Sequence, residues 1–272
     1  MYNPYFGFKE NPFNQTPDPD FFFPSEAHKT ALDALVYAVK QRKGFVVITG
    51  EIGSGKTTVV RTLLSKFDSS IRTALITNTH TSPKGVITLI LEDLGISYQP
   101  STKERLLLQL NEFLLLQISE DRNVVVIVDE AQNLNPACIE EIRMLSNLET
   151  EKEKLIQIIL VGQPELRKKL ELSRLEQVRQ RVAVHYHIQP LSQEDTKKYI
   201  MHRLTIAKSN GQDFTSLFDG LALETIYRYS KGIPRLINHI CDHALLAGYV
   251  NNYKAITETV ALEAIEEVLK FR

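Results

Sequence analysis

The sequence has no tryptophan and only two cysteines, Cys138 and Cys241. Two isolated cysteines, each inside a helical pattern, exclude a disulfide-stapled scaffold and read as buried free thiols. Also missing is any apolar run near the roughly 18–20 residues that a bilayer-spanning helix needs. The longest such run, VVVIV at 124–128, has the length of a strand core. The N-terminus, MYNPYFGFKENPF, lacks the basic start and apolar stretch of a secretory signal. Neither sign of charge is in excess: 32 Lys and Arg stand against 33 Asp and Glu, a net charge of −1. That is not the overall footprint of a nucleic-acid binder, although a local basic patch is compatible with it. What is present is an ordinary globular composition, in 272 residues that suggest one large domain or one large and one small. The expected location is the cytoplasm, with no direct insertion into a membrane.

Residues 1–24 hold half of the twelve phenylalanines and five of the eleven prolines. The prolines forbid a long helix, and the aromatics must be buried somewhere. The segment reads as an extended arm that packs onto the following domain. From 25 to 190 the pattern alternates. Buried-strand runs at 45–49, 73–77, 124–128, 156–161 and 184–188 are separated by helical patterns at 56–67, 84–94, 103–119, 136–147 and 164–181. Ser25 can cap a further helix over 26–42. Five apolar strands interleaved with helices predict an α/β domain, its parallel sheet covered on both faces, with ligands at the carboxyl ends of the strands. From 191 the period is helical throughout, at 193–209, 221–230, 234–250 and 258–270. Ser192, followed three residues later by Asp195, resembles a capping box. A small all-helical domain over 191–272 is expected.

The run GEIGSGKTT, at 50–58, follows the strand FVVIT. Gly50, Gly53, Ser54 and Gly55 remove side-chain bulk where a chain must wrap a polyphosphate with backbone N–H groups. Lys56 adds a point charge, and the Thr57 hydroxyl suits Mg²⁺. The helix that begins near Lys56, and continues through Thr58, turns its positive end to the anion. The pattern is a P-loop, and the flexible run is there to fold round phosphate. In NVVVIVDEAQ, at 123–132, an apolar strand ends in Asp129 and Glu130. Asp129 is positioned to act near the metal and Glu130 to polarise water. Gln163, ending the next strand in LVGQPELR, can hold the water or sense the γ-phosphate, or simply form a turn before Pro164. Arg179 and Arg181 precede the last strand, and an arginine there can reach the nucleotide of a neighbouring subunit; Arg181 is the favoured finger. Arg235, in SKGIPRLIN at 230–238, opens a helix and can project toward the phosphates.

Together these segments resemble the AAA+ ATPases: P-loop, VDE, a polar sensor, an arginine before the fifth strand and GIPR in a helical lid. They are similar, more closely, to ExeA/GspA-like secretion ATPases, through YFGFKENPFNQTPDPDFFFPSEAH at 5–28, VDEAQNL at 128–134, LVGQPELRKKL at 160–170 and KGIPRLIN at 231–238. The resemblance implies a P-loop NTPase fold with a helical lid, ATP and Mg²⁺ as cofactors, Lys56 and Thr57 on phosphate and metal, and Asp129 and Glu130 as the hydrolytic acids. It places Gln163 at the first sensor position, Arg181 at the finger position and Arg235 at the second sensor position, and lets the arm help to enclose adenine. Gln163 departs from the asparagine common at that position. Longer family members carry a membrane span and a peptidoglycan-binding domain after the ATPase, so envelope contact is expected through a membrane-anchored partner.

The expected function is a homo-oligomeric ATPase, ring or helical, that drives assembly of a secretion or type IV pilus-like envelope machine. One alternative is a TniB/TnsC-like transposition ATPase that binds DNA, suggested by six basic against three acidic residues in 164–181. Another is a slow nucleotide-gated scaffold. The segment 78–83 has no aromatic–apolar pair to grip a polypeptide, which disfavours an unfoldase.

Overall fold

The computed structural model describes residues 2–99, 101–151, 153–209 and 214–270. In chain order its helices are α1 Asn3–Phe6, α2 Glu26–Lys40, α3 Lys56–Leu64, α4 Pro83–Asp93, α5 Lys103–Ser119, α6 Pro136–Leu145, α7 Pro164–Leu170, α8 Glu176–Arg181, α9 Gln193–Ala207, α10 Gly220–Ser230, α11 Pro234–Val250 and α12 Glu258–Leu269. Its strands are β1 Phe45–Gly50, β2 Ile71–Ile76, β3 Asn123–Val128, β4 Gln157–Gly162 and β5 Val184–Ile188. Contacts divide the chain into two compact units that do not follow chain order. One gathers 1–29, 51–61 and 189–272; the other gathers 30–50 and 62–188.

The second unit contains the sheet, with order β2-β3-β4-β1-β5 and every pairing parallel. Every residue of β1 and β4 is buried, and so are five of the six in β3. Successive residues of a strand point to opposite faces, so continuous burial requires cover on both faces. The edge strands β2 and β5 are only partly buried, as edges are. Gln157, at the start of β4, is buried, and its amide donates to Asn123 Oδ1 at 2.6 Å and to the Val39 carbonyl at 3.3 Å. Local signals set the helix starts: Asn135 Oδ1 caps the Cys138 N–H at 2.8 Å, and Pro136 occupies the first turn of α6.

One sequence-based element is broken. The single helix expected over 164–181 is α7, a 3-10 turn at Ser173–Leu175 and α8. Leu172 is extended there (φ −60°, ψ 136°). On either side of the break Leu170, Leu175 and Val178 are buried in one core.

The other unit holds α9–α12 and the arm. The sequence predicts that the arm packs on the domain that follows it in the chain; instead Phe6, Phe8, Phe13 and Phe21 are buried in one apolar cluster with residues of these C-terminal helices. Phe8 stacks on Phe214 with centroids 4.7 Å apart, and Phe13 meets Phe218 edge-on. Arg203 of α9 ties the arm down. Its guanidinium donates to the Pro12 carbonyl at 2.5 Å, to Asn14 O at 3.2 Å and to the Tyr199 hydroxyl at 2.9 Å, and lies 4.7 Å over the Phe21 ring. Ser192 caps α9 by accepting the Asp195 N–H at 3.0 Å. Cys138 and Cys241 are both buried free thiols. Among the described residues no helix is long and apolar enough to cross a membrane.

Candidate nucleotide-binding site

In the parallel sheet β3, β4 and β1 are neighbours, with Val128 paired to Leu160 and Thr49 to Gly162. Their carboxyl ends therefore lie side by side. Asp129, Gln163 and Gly50 leave the sheet at one edge, where ligands bind in open α/β sheets. The loop 51–55 continues directly from Gly50 into α3.

That loop belongs to the unit with the arm and the C-terminal helices. Gly53 (φ +78°) and Gly55 (φ +92°) are left-handed, which a side chain disfavours. Both glycines also yield space to a neighbour. A Cβ on Gly53 would lie 2.5 Å from Arg235 Cβ, and one on Gly55 would lie 2.9 Å from His28 Nε2. Lys56 donates its ammonium to the Glu51 carbonyl at 2.9 Å. Ser54 Oγ is buried without a hydrogen-bond partner among the described residues.

Arg235 reaches the loop because of the turn before α11. Lys231 (φ +51°) and Gly232 (φ +75°) are successive left-handed residues, and Pro234 then starts the helix. The Arg235 N–H donates to the Gly53 carbonyl at 3.2 Å, while its side chain is exposed. The structure thus brings Arg235 and the loop 51–55 together.

His28 is a residue the sequence reading missed. Its Nε2 lies 2.8 Å from the Ser54 carbonyl, so Nε2 carries the proton, and Nδ1 lies 2.6 Å from Ser25 Oγ. Burial pushes this imidazole below its ordinary pKa. Ser25 also caps α2 by accepting the His28 N–H at 3.3 Å. The signal in the sequence was SEAH, a cap serine three residues before a histidine at the start of a helix.

In the sheet unit, Glu130 and Gln163 come together. The Gln163 amide donates to Glu130 Oε2 at 3.1 Å, and Gln132, also missed, donates to the same oxygen at 2.5 Å. The Glu130 N–H donates to Asp129 Oδ1 at 2.9 Å, and the Asp129 N–H to the Ile76 carbonyl at 2.9 Å. Glu130 is itself left-handed (φ +51°). Arg179 and Arg181 are exposed at the end of α8, and among the described hydrogen bonds neither joins the Glu130 group. Thr49, buried at the end of β1, lies 3.0 Å from His187 Nδ1 and 3.3 Å from His185 Nε2.

Comparison with known proteins agrees with this geometry. The AAA domain family matches residues 39–170. General secretion pathway protein A of Aeromonas hydrophila is 39% identical over 268 residues, which is 98% of this chain and 48% of that protein. The chain is similar to the ExeA/GspA-like AAA ATPases. This GspA-like chain spans about half the length of that relative. Among solved structures, Aeropyrum pernix ORC2 aligns with a TM-score of 0.71 at 14% identity, covering 96% of this chain and 72% of that one. The Thermotoga maritima RuvB branch migration motor aligns at 0.61 and 19%, covering 93% and 72%. At such identities these two show the fold alone. The GspA-like fold is a five-stranded parallel P-loop sheet with helices, accompanied by a small helical C-terminal region.

Proposed function

We propose that this GspA-like chain binds ATP with Mg²⁺, hydrolyses it as a homo-oligomer, and so drives assembly of a secretion or type IV pilus-like envelope machine. The observation that carries the nucleotide reading is the loop after β1. Two left-handed glycines leave it without side chains at 53 and 55, and its buried Ser54 Oγ is an unpaired polar atom. Such a loop fits a polyphosphate. Gly50, Gly53, Ser54, Gly55 and Thr58 form its frame, and Lys56 supplies charge. Thr57 and Asp129 offer the hard oxygen donors that Mg²⁺ prefers, and the ion would neutralise charge on the phosphates. Glu130 is the general base, Gln163 the sensor beside it, and Arg235 the lid residue that answers to nucleotide. Arg181, exposed at the end of α8, is free of the Glu130 group and so available to a neighbouring subunit, with Arg179 as its substitute. On this reading residues 1–24 are an arm, 25–190 the ATPase domain and 191–272 the lid. The protein acts in the cytoplasm, peripheral to the inner membrane through a membrane-anchored partner. The secretion assignment rests on the likeness to general secretion pathway protein A.

Steady-state ATP turnover tests the enzymatic part. Lys56→Ala should lose productive binding. Glu130→Gln should bind nucleotide and lose about 10²–10⁴-fold in kcat, the usual worth of a general base. Near-normal turnover in either would overturn the corresponding role. Duplex-DNA anisotropy at near-physiological salt tests the competing transposition-type reading, which the exposed Arg167, Lys168, Arg174, Arg179 and Arg181 favour. ATP-dependent binding at micromolar or better would replace the envelope assignment, and its absence would leave that assignment standing.

A further inference from the structure

Gln132 lies one residue beyond the acidic pair and its neighbour Ala131, in a 3-10 turn at Ala131–Asn133. Both ends of its side-chain amide are used. Nε2 donates to Glu130 Oε2 at 2.5 Å, and Oε1 accepts the Gln163 backbone N–H at 3.0 Å. The second bond decides the orientation of the amide. A backbone N–H can only donate, so the oxygen of Gln132 must face it, and the NH₂ group must face Glu130. Room for that oxygen exists because residue 162 is glycine: a Cβ there would sit 2.8 Å from Oε1. The turn is pinned from below as well, since the Lys169 ammonium donates to the Gln132 carbonyl and, at 2.7 Å, to the Leu134 carbonyl. One side chain therefore joins the end of β3 to the end of β4.

We propose that Gln132 is a positioning residue for ATP hydrolysis, holding the Glu130 carboxylate in its working orientation through an amide clamp shared with Gln163. This rests on Glu130 being the general base. Both clamp amides, Gln132 Nε2 and Gln163 Nε2, meet the same oxygen, Oε2. That arrangement assigns Oε1 to the attacking water. A base that can rotate between several orientations loses the near-attack geometry, and misplacement of about 1 Å costs on the order of 100-fold in rate.

The decisive variant is Gln132→Glu. It has the same shape and keeps an oxygen for the Gln163 N–H, but it replaces the donor to Glu130 with a second carboxylate. If Gln132 only ties two turns together, Gln132→Glu behaves as wild type. If it positions Glu130, kcat falls at least about 10-fold and the acid limb of the kcat–pH profile moves to higher pH, because like charges resist ionising together. Affinity for a fluorescent ADP should stay within about twofold, which shows that the fold and the P-loop are intact. Gln132→Ala should lower kcat similarly, with no movement of the acid limb from a new charge. Turnover by Gln132→Glu within twofold of wild type, with an unmoved profile, would overturn the proposal. Glu130→Gln separates this from failure of the base assignment. An inactive Glu130→Gln beside a fully active Gln132→Glu sinks the clamp alone, while an active Glu130→Gln sinks both, as would a wild-type chain that turned over no ATP.

Discussion

Substituting Gly232 by alanine should be among the most damaging single-methyl changes among the C-terminal helices. The added Cβ would meet backbone, not a flexible side chain: Leu191 O at 1.9 Å, its C at 2.8 Å and its N at 2.9 Å. The same two residues share a hydrogen bond, Leu191 N–H to Gly232 O at 2.9 Å, which would be lost on separation. The φ of +75° is a second, independent cost. A left-handed L-residue costs about 1–2 kcal/mol. Forced backbone displacement in a packed site costs about 1–3 kcal/mol, and the hydrogen bond about 1 kcal/mol. Together these come to roughly 3–6 kcal/mol, against a total stability of about 5–15 kcal/mol for a typical domain. Gly220→Ala is the control. It lies in the same unit at the start of α10, with nothing within 4 Å of the new methyl and no positive φ. That change should stabilise by about 0.4–1 kcal/mol through the unfolded chain. Urea denaturation followed by far-ultraviolet circular dichroism measures both. Because Arg235 follows three residues later and its N–H reaches Gly53, Gly232→Ala should also weaken ADP binding. A Gly232→Ala protein within 1 kcal/mol of wild type would refute the packing argument, as would one no less stable than Gly220→Ala.

Two further expectations concern protonation and assembly. Burial holds His28 below its ordinary pKa of 6.5, and the same cause lowers His202 and His239 in the same unit. The unfolded chain takes up these protons near pH 6.5 and the folded unit resists them, so their stabilisation is complete above that pH and falls as pH drops below it. His28→Gln should flatten that fall, measured as denaturation midpoints at pH 7.5, 6.5 and 5.5; equal slopes for the two proteins would refute the assignment. Arg181→Ala should leave nucleotide affinity intact and slow turnover by about 10³-fold or more only where the protein is assembled. Equal slowing at dilutions where it is monomeric would remove the trans role.

Much of the candidate site was legible in the sequence because its chemistry is local. A left-handed backbone at 53 and 55 demands glycine, and strands buried on both faces demand unbroken apolar runs, so GEIGSGKTT and VVVIVDE read directly. The boundary at 164–181 was not legible. Its charges and leucines satisfy a helical period across the whole segment, so nothing in the local pattern marks the extended residue Leu172 at which it breaks. Composition likewise required the arm's phenylalanines to be buried, but the expectation that the next domain in the chain receives them was not met: they join the C-terminal helices.

The sequence by itself determined the P-loop, the acidic strand end and the alternation of strand and helix, since each depends on neighbours within a few residues. Only the tertiary structure decided the strand order that sets Gly50, Gln163 and Asp129 along one sheet edge. It alone placed the arm's aromatics among α9–α12, seated His28 on the Ser54 carbonyl, and closed Gln132 onto both Glu130 and Gln163. Apart from Gln132 and Glu130, which are two positions apart, these contacts join residues that are 26 or 31 positions apart, or at opposite ends of the chain. No periodicity encodes such pairings; they arise when buried polar groups must find partners inside a packed core.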